Sequence, residues 1–267
     1  MQPAAFPAPR RFGAVNWLGL RTLYLKEVRR FAKVFTQTLV SPLVTTLLFL
    51  AIFTLALGRS LQQVGGVGYA EFLSPGLVMM SMVQNAFANT SSSLVIAKIQ
   101  GNIVDLLMPP LSPLEAMVGL AGGGLTRGLV VGVVSILAIR LLLPITVHDW
   151  FFVAFHAIAA SLMLSLIGLL AGLWADKFDQ MAAVTNFVIT PLSFLSGAFY
   201  STERLPELWR AVAHLNPFFY MIDGFRYGFI GHADGSLGVG IAVLTLADAA
   251  LGLLTWRLLA TGYKLRP

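Results

Sequence analysis

The sequence predicts an all-α polytopic membrane protein, and two observations carry that prediction. Of its 267 residues, 57% are hydrophobic and only 11% are charged, whereas soluble domains run near 45–50% apolar and about 25% charged. Several uncharged apolar runs exceed the roughly 18 residues that mark a helix able to cross a ~30 Å hydrocarbon layer. Cysteine is absent, which excludes disulfides, thiolate catalysis and cysteine metal sites.

The first organised element covers residues 16–35. At 100° per residue Trp17, Leu20, Tyr24, Val28, Phe31 and Phe35 fall on one side, and Lys26, Arg29, Arg30 and Lys33 on the other. That pattern predicts a basic amphipathic helix in a membrane interface; a helix packed on a protein surface would look the same. Residues 1–34 do not read as a cleavable signal peptide, because basic residues continue to Lys33 and the apolar run that follows is too long.

About six spans follow, at roughly 35–57, 71–93, 116–143, 150–173, 182–200 and 237–260. The domain reading is a cytoplasmic N-terminal segment (1–34), a six-span domain (35–260) and a cytoplasmic tail (261–267). Arg10, Arg11, Arg21, Lys26, Arg29, Arg30 and Lys33 precede the first span, and Arg257, Lys264 and Arg266 close the last. The positive-inside rule then puts both termini in the cytoplasm, so the net charge of +6 reports orientation rather than nucleic-acid binding.

Between spans two and three lies AKIQGNIVDLLMPPLSPLEA, residues 97–116, where Ile99 to Met108 are expected to form a short helix stopped by Pro109-Pro110. Within span three, Gly124, Gly128 and Gly132 recur every fourth residue after Gly119 to Gly123, a spacing that lets helix backbones approach closely. Arg127 and Asp248 fall near mid-depth of spans three and six. An isolated charge there is costly, so a structural ion pair between them is favoured over substrate contact.

After span five, residues 201–236 stay on the outer face. Ser201 or Thr202 is expected to cap a helix with Glu203 and Pro206 in its first turn, ending at Asn216-Pro217. Phe218 to Ile230 is too short to span and carries Asp223 and Arg226, which fits a re-entrant or interfacial hairpin. A large external loop without a special role is the competing reading.

Enzyme chemistry finds little support. His148, His156, His214 and His232 show no i,i+4 pairing and no nearby carboxylate set, which argues against metal ligation. An embedded serine nucleophile at Ser196 lacks the glycine two residues earlier, where Phe194 stands. None of the five lysines is followed by Ser or Thr, so no phosphate cradle of the G-x-x-x-x-G-K-[ST] type exists. A pump built on this chain takes its energy from elsewhere.

KEVRRF before span one, PGLVMMSMVQNAFAN in span two, GGGLTRG in span three and TPLSFLSGAFYSTERLPELWRAVAHLNPFFYMIDGFRYGF from the end of span five onward together resemble the permease subunits of ABC-2 type transporters. The resemblance is strongest to the YadH-like branch, related to permeases that export polysaccharides and Nod factors. It implies six spans, an interfacial N-terminal helix and re-entrant external helices, in a homodimer clamped onto two ABC ATPase subunits of a bacterial inner membrane. The ATPases, not this chain, would bind ATP and magnesium, and the permease would need no cofactor of its own. Segment 97–116 resembles a coupling helix, making Lys98, Gln100, Asn102, Asp105 and Leu106 the docking candidates. Phe199, Tyr200, Trp209, Phe218, Phe219 and Tyr220 are the candidates for closing an outer gate, although an aromatic belt anchoring the protein would use the same residues. The expected activity is outward movement of an amphipathic, lipid-linked or drug-like substrate by alternating access. An energy-independent channel, a lipid scramblase or an ion-coupled carrier is the alternative; an ion-coupled carrier should carry matched acidic sites in inverted halves, and only Asp248 is seen.

Overall fold

A computed structural model describes residues 13–57, 63–64 and 66–265; Arg10, Arg11 and Arg266 lie outside them. Eleven α-helices are present among the described residues. Four helical stretches, Thr36–Ala56, Pro113–Arg140, Trp150–Trp174 and Leu237–Thr261, are long and apolar enough to cross a membrane.

Helix α1 (Trp17–Ala32) starts where the Asn16 side chain accepts from Gly19 N. Its buried residues are Leu23, Glu27 and Phe31, while Trp17 and Phe35 are exposed. The apolar side is therefore rotated from the expected one, and the helix packs on its own chain across α5 (Pro113–Arg140). The reason is steric. Gly119 and Gly122 of α5 face Leu23 and Tyr24, and a Cβ on Gly123 would come within 2.4 Å of Glu27 Cβ.

A π-helical turn (Thr36–Val40) leads into α2 (Ser41–Leu57), whose outer side is largely exposed. The short strands β1 (Gln63–Val64) and β2 (Val67–Gly68) pair antiparallel, a small departure from an all-α chain. Helix α3 (Tyr69–Ile99) is the central element, buried along nearly its whole length. It carries Ser, Thr, Asn and Gln from residue 81 to 93. A bundle interior tolerates them because hydroxyls bond backwards along the helix or across it, as Thr90 Oγ1 does to Ser165 O at 2.8 Å.

One-turn α4 (Val104–Leu107) and α5 (Pro113–Arg140) follow. Helix α5 begins with a reciprocal capping box between Ser112 and Glu115, with Pro113 at the first helical position. On α5, Gly124, Gly128 and Gly132 face α3 and α6 (Trp150–Trp174), where added Cβ atoms would meet Ser165, Ser161 and Met82 at under 3.0 Å. The glycine repeat thus serves packing within one chain.

The expected fifth span is a continuous helix with a π bulge in it: α7 (Phe178–Val184), a π turn (Thr185–Ile189) and α8 (Thr190–Phe194), a geometry that recurs at functional sites. Helix α9 (Glu207–Leu215) does not start at Ser201. Ser201 instead caps a separate 3₁₀ turn, Thr202–Arg204. Pro206 forces this, since the residue before a proline is pushed out of the helical region, and Leu205 is extended at φ −77°, ψ 148°. Helix α10 (Pro217–Ile230) is capped by Asn216 and stopped by Gly231 at φ 70°. It is buried against α3, α6 and α11 (Leu237–Thr261), the condition under which short non-spanning helices are tolerated in a membrane.

The ends of α3, α6 and α11 meet. Asp176 accepts from Lys264 Nζ at 2.7 Å and lies 3.7 Å from Lys98 Nζ, and Leu265 packs in one cluster with Leu23, Leu94 and Leu173. Helix α1 and the C-terminal end therefore share one end of the bundle.

Candidate functional site: a partner groove and a polar stripe

Two features stand out, one at the end of the bundle that α1 occupies and one along its side. The first is a groove of about 450 Å³ between α1 and the α4 segment, lined by Leu18, Thr22, Leu23 and Lys26 on one wall and Asp105, Leu106 and Pro109 to Leu111 on the other. Its rear is latched. Glu115 Oε1 accepts from Asn16 N at 2.5 Å, and Asn16 Nδ2 donates to Pro110 O at 3.1 Å. The carboxylate that caps α5 therefore fixes the start of α1 and the proline turn together. The S-x-x-E signature of Ser112 and Glu115 was visible in the sequence; its reach to Asn16 was not.

The docking candidates divide. Asp105 and Leu106 line the groove. Gln100 and Asn102 lie in the exposed turn before α4, on either side of Gly101, which reverses the chain at φ 73°. Lys98 is committed elsewhere: it belongs to the last turn of α3 and donates to Leu173 O at 2.5 Å and Ala175 O at 3.2 Å. The expected helix from Ile99 to Met108 shrinks to one turn because α3 itself continues to Ile99 and Gly101 breaks it.

Residue Asp176 stands beside this end, outside the spans. Its hydrogen bond from Lys264, helped by the charges of Lys264 and Lys98, holds its carboxyl below the usual carboxylate range.

The second feature is a polar stripe along α3. Gln84 and Asn85 stand between two cavities: one of about 160 Å³ lined with Ser41, Thr45, Thr46 and Ser81, the other of about 280 Å³ with Ser91, Thr185 and Thr190. The stripe runs between α2 on one side and the π-bulged α7–α8 helix on the other. Behind it, Arg127 Nη2 donates to Asn85 Oδ1 at 2.8 Å. Arg30 Nη2 bonds Glu27 Oε2 at 3.0 Å and Asn89 O at 2.6 Å, and Ser93 donates to Glu27 Oε1 at 2.8 Å. Glu27 carries no sequence signal that distinguishes it from a solvated charge, yet it is fully buried.

Arg127 and Asp248 are not brought together. Asp248 lies on α11 in a separate apolar cavity with Phe155, Ile158, Ala159, Leu162 and Thr245, and its position six helices later in the chain gave no means of judging which face it took. Arg127 instead finds an amide partner.

The six aromatic gate candidates also separate. Phe218 and Phe219 are buried in the core, with Phe219 stacked on His214 at 4.6 Å. Tyr220 faces Gly240 of α11. Phe199 packs on Phe53 at 4.8 Å and Phe194 at 5.2 Å, and the Tyr200 hydroxyl reaches back to Phe194 O at 3.4 Å. Trp209 alone of the six is on α9, whose Leu208, Trp209, Val212 and Leu215 are all exposed. What sequence reasoning missed is Arg226 as a hub: it donates to Phe72 O at 3.2 Å and Gly197 O at 2.7 Å, over the Phe72 ring.

Comparison with known proteins adds the following. The model of the ABC-2 type transporter family matches residues 19–230. "Inner membrane transport permease YadH" of Escherichia coli K12 is 41% identical over 250 residues, covering 94% of this chain and 98% of that protein. "Nodulation protein J" of Neorhizobium galegae is 23% identical over 236 residues, covering 88% of each. The protein of that name from Rhizobium meliloti 1021 is 26% identical over 253 residues, covering 90% of each.

Proposed function

This chain belongs to the ABC-2 type transporter family, and from that premise we propose that it is the non-catalytic membrane subunit of an ATP-driven exporter, working as a homodimer on two copies of an ABC ATPase. The single observation that carries the reading is the groove between α1 and α4. Its floor is apolar and its rim holds Lys26 and Asp105, which suits a short amphipathic element of a partner protein. Because Glu115 ties α1 and the proline turn to the start of α5, a push on the groove moves α5 as a rigid body, and with it the helices its glycines contact.

The polar stripe supplies the path. Its walls offer hydroxyls and amides in place of charges, so an amphipathic, lipid-linked or drug-like molecule with neutral polar groups is the substrate class. A polar strip facing lipid is costly; a second copy meeting α2 and α7–α8 across it removes that cost and encloses the path. In this reading the chain spans an inner membrane six times, with α3 and α7–α8 completing the set and both termini cytoplasmic. Helices α9 and α10 form the re-entrant outer hairpin, the exposed apolar side of α9 resting in the interface.

An ion-coupled carrier is the second reading, and Asp248 in its apolar cavity is the observation that favours it. Co-purification decides between them. The chain should hold an ABC ATPase through detergent extraction, and Leu106→Asp should release it while the permease stays monodisperse. Retention of the ATPase by that variant would remove the groove from the interface.

A further inference from the structure

Beside α10, three ligand-type side chains converge although 29 positions separate Glu203 from His232. Glu203, His232 and Asp234 place one donor atom each within 4.8 Å of one another. The expectation that no carboxylate set surrounds a histidine does not hold for His232. The site is held from behind. Asp223 accepts from Asp234 N at 2.8 Å and Gly235 N at 3.0 Å, which fixes the loop after α10. Asp234 Oδ2 accepts from Thr202 N at 2.6 Å and Thr202 Oγ1 at 3.2 Å, which fixes the 3₁₀ turn carrying Glu203.

That leaves the other oxygen. The Asp234 side chain is 1% exposed, yet Oδ1 has no hydrogen-bond donor. It points at His232 Nε2 from 3.4 Å, longer than an ordinary hydrogen bond. The same separation is what two ligand bonds of about 2.1 Å span at a tetrahedral metal, about 3.4 Å. A buried carboxylate oxygen without a donor is expensive, and the buried cation of α10, Arg226, is already spent on the carbonyls of Phe72, Gly197 and Ala198. The geometry points to a divalent transition-metal site in which His232 Nε2, Asp234 Oδ1 and a Glu203 carboxylate oxygen are the ligands.

One imidazole and two carboxylates suit zinc or a neighbouring first-row ion. Glu203 is exposed and His232 is half-exposed, so Glu203 is free to close the remaining distance and the fourth position opens to water. The clip joins the turn before α9 to the loop after α10, bracketing the α9–α10 hairpin at its base. An occupied site ties these two segments together; an empty one leaves, among the described residues, the hydrogen bonds of Asp234 Oδ2 with Thr202 between them. The inference rests on these side chains and not on the transport reading.

The test uses the full chain in lipid nanodiscs, stripped with chelator and titrated with zinc chloride, with calcium chloride in parallel. One zinc per chain is expected, with affinity at least about tenfold weaker in Glu203→Gln, in His232→Gln and in Asp234→Asn. The first two replace accessible side chains, so folding should survive, and gel filtration checks it. Amide exchange in the wild type is the second readout: zinc should slow exchange around residue 203 and around 232–235 together. Unchanged zinc affinity in the variants, no stoichiometric zinc in the wild type, preference for calcium, or exchange that zinc leaves untouched at these two segments would each overturn the assignment.

Discussion

Arg226 shows what a single residue does in this fold. Its guanidinium bridges Phe72 O of α3 and Gly197 O beyond α8, so it joins the hairpin to the central helix. Arg226→Met keeps the bulk and removes the donors, leaving buried carbonyls unpaired; the expected loss is about 1.5–3 kcal/mol, read as a lower melting temperature in detergent. Asp176 makes a subtler case. Its native pKa is depressed by the hydrogen bond from Lys264 and by the charges of Lys264 and Lys98, so its contribution is complete at neutral pH and is lost in acid as pH falls through that depressed value. The melting difference between wild type and Asp176→Asn should therefore be present at pH 7 and shrink progressively as the pH is lowered through the acid range, with thermal melts across that range as the check. The sequence makes such charges visible but not their partners: Asp223 and Arg226 stand out in an apolar segment, whereas the Asn85 partner of Arg127 and the burial of Glu27 depend on contacts between helices far apart in the chain.

At the scale of elements, the glycines of α5 decide where α1 goes. Gly123→Ala would drive a Cβ to 2.4 Å from Glu27 Cβ, displacing α1 at a cost of about 1–3 kcal/mol and moving one wall of the partner groove. The variant should melt earlier and co-purify with less ATPase than Gly252→Ala, where a Cβ meets open space. The apolar runs of α2, α5, α6 and α11 were readable because length and composition alone define them. Helix α3 was readable as a long helix despite its hydroxyls, and its extension to Ile99 was not, since nothing local ends it before Gly101. The rotation of α1 was hidden for a different reason. Amphipathic period fixes which residues share a face, but Glu27 sits on the buried one with Leu23 and Phe31, and only the cleft left by three glycines makes room for it.

For the whole molecule, the difference between its exposed helices carries the prediction. Helix α11 exposes an apolar surface that lipid satisfies, while α2 and α7–α8 flank the polar stripe. In this cysteine-free chain, Phe187→Cys, at a side chain 81% exposed, should cross-link to a second copy in native membranes. Leu246→Cys on α11, 70% exposed, should not; gel mobility under oxidising conditions reads both. The central claim is that a separate ATPase drives this chain through the α1–α4 groove, and the most direct measurement is ATP hydrolysis by the reconstituted complex in nanodiscs. With the wild-type chain the rate should differ from that of the ATPase alone, and Asp105→Lys or Leu106→Asp should return it to the rate of the ATPase alone. A rate indifferent to the presence of the chain and to both substitutions would contradict the account.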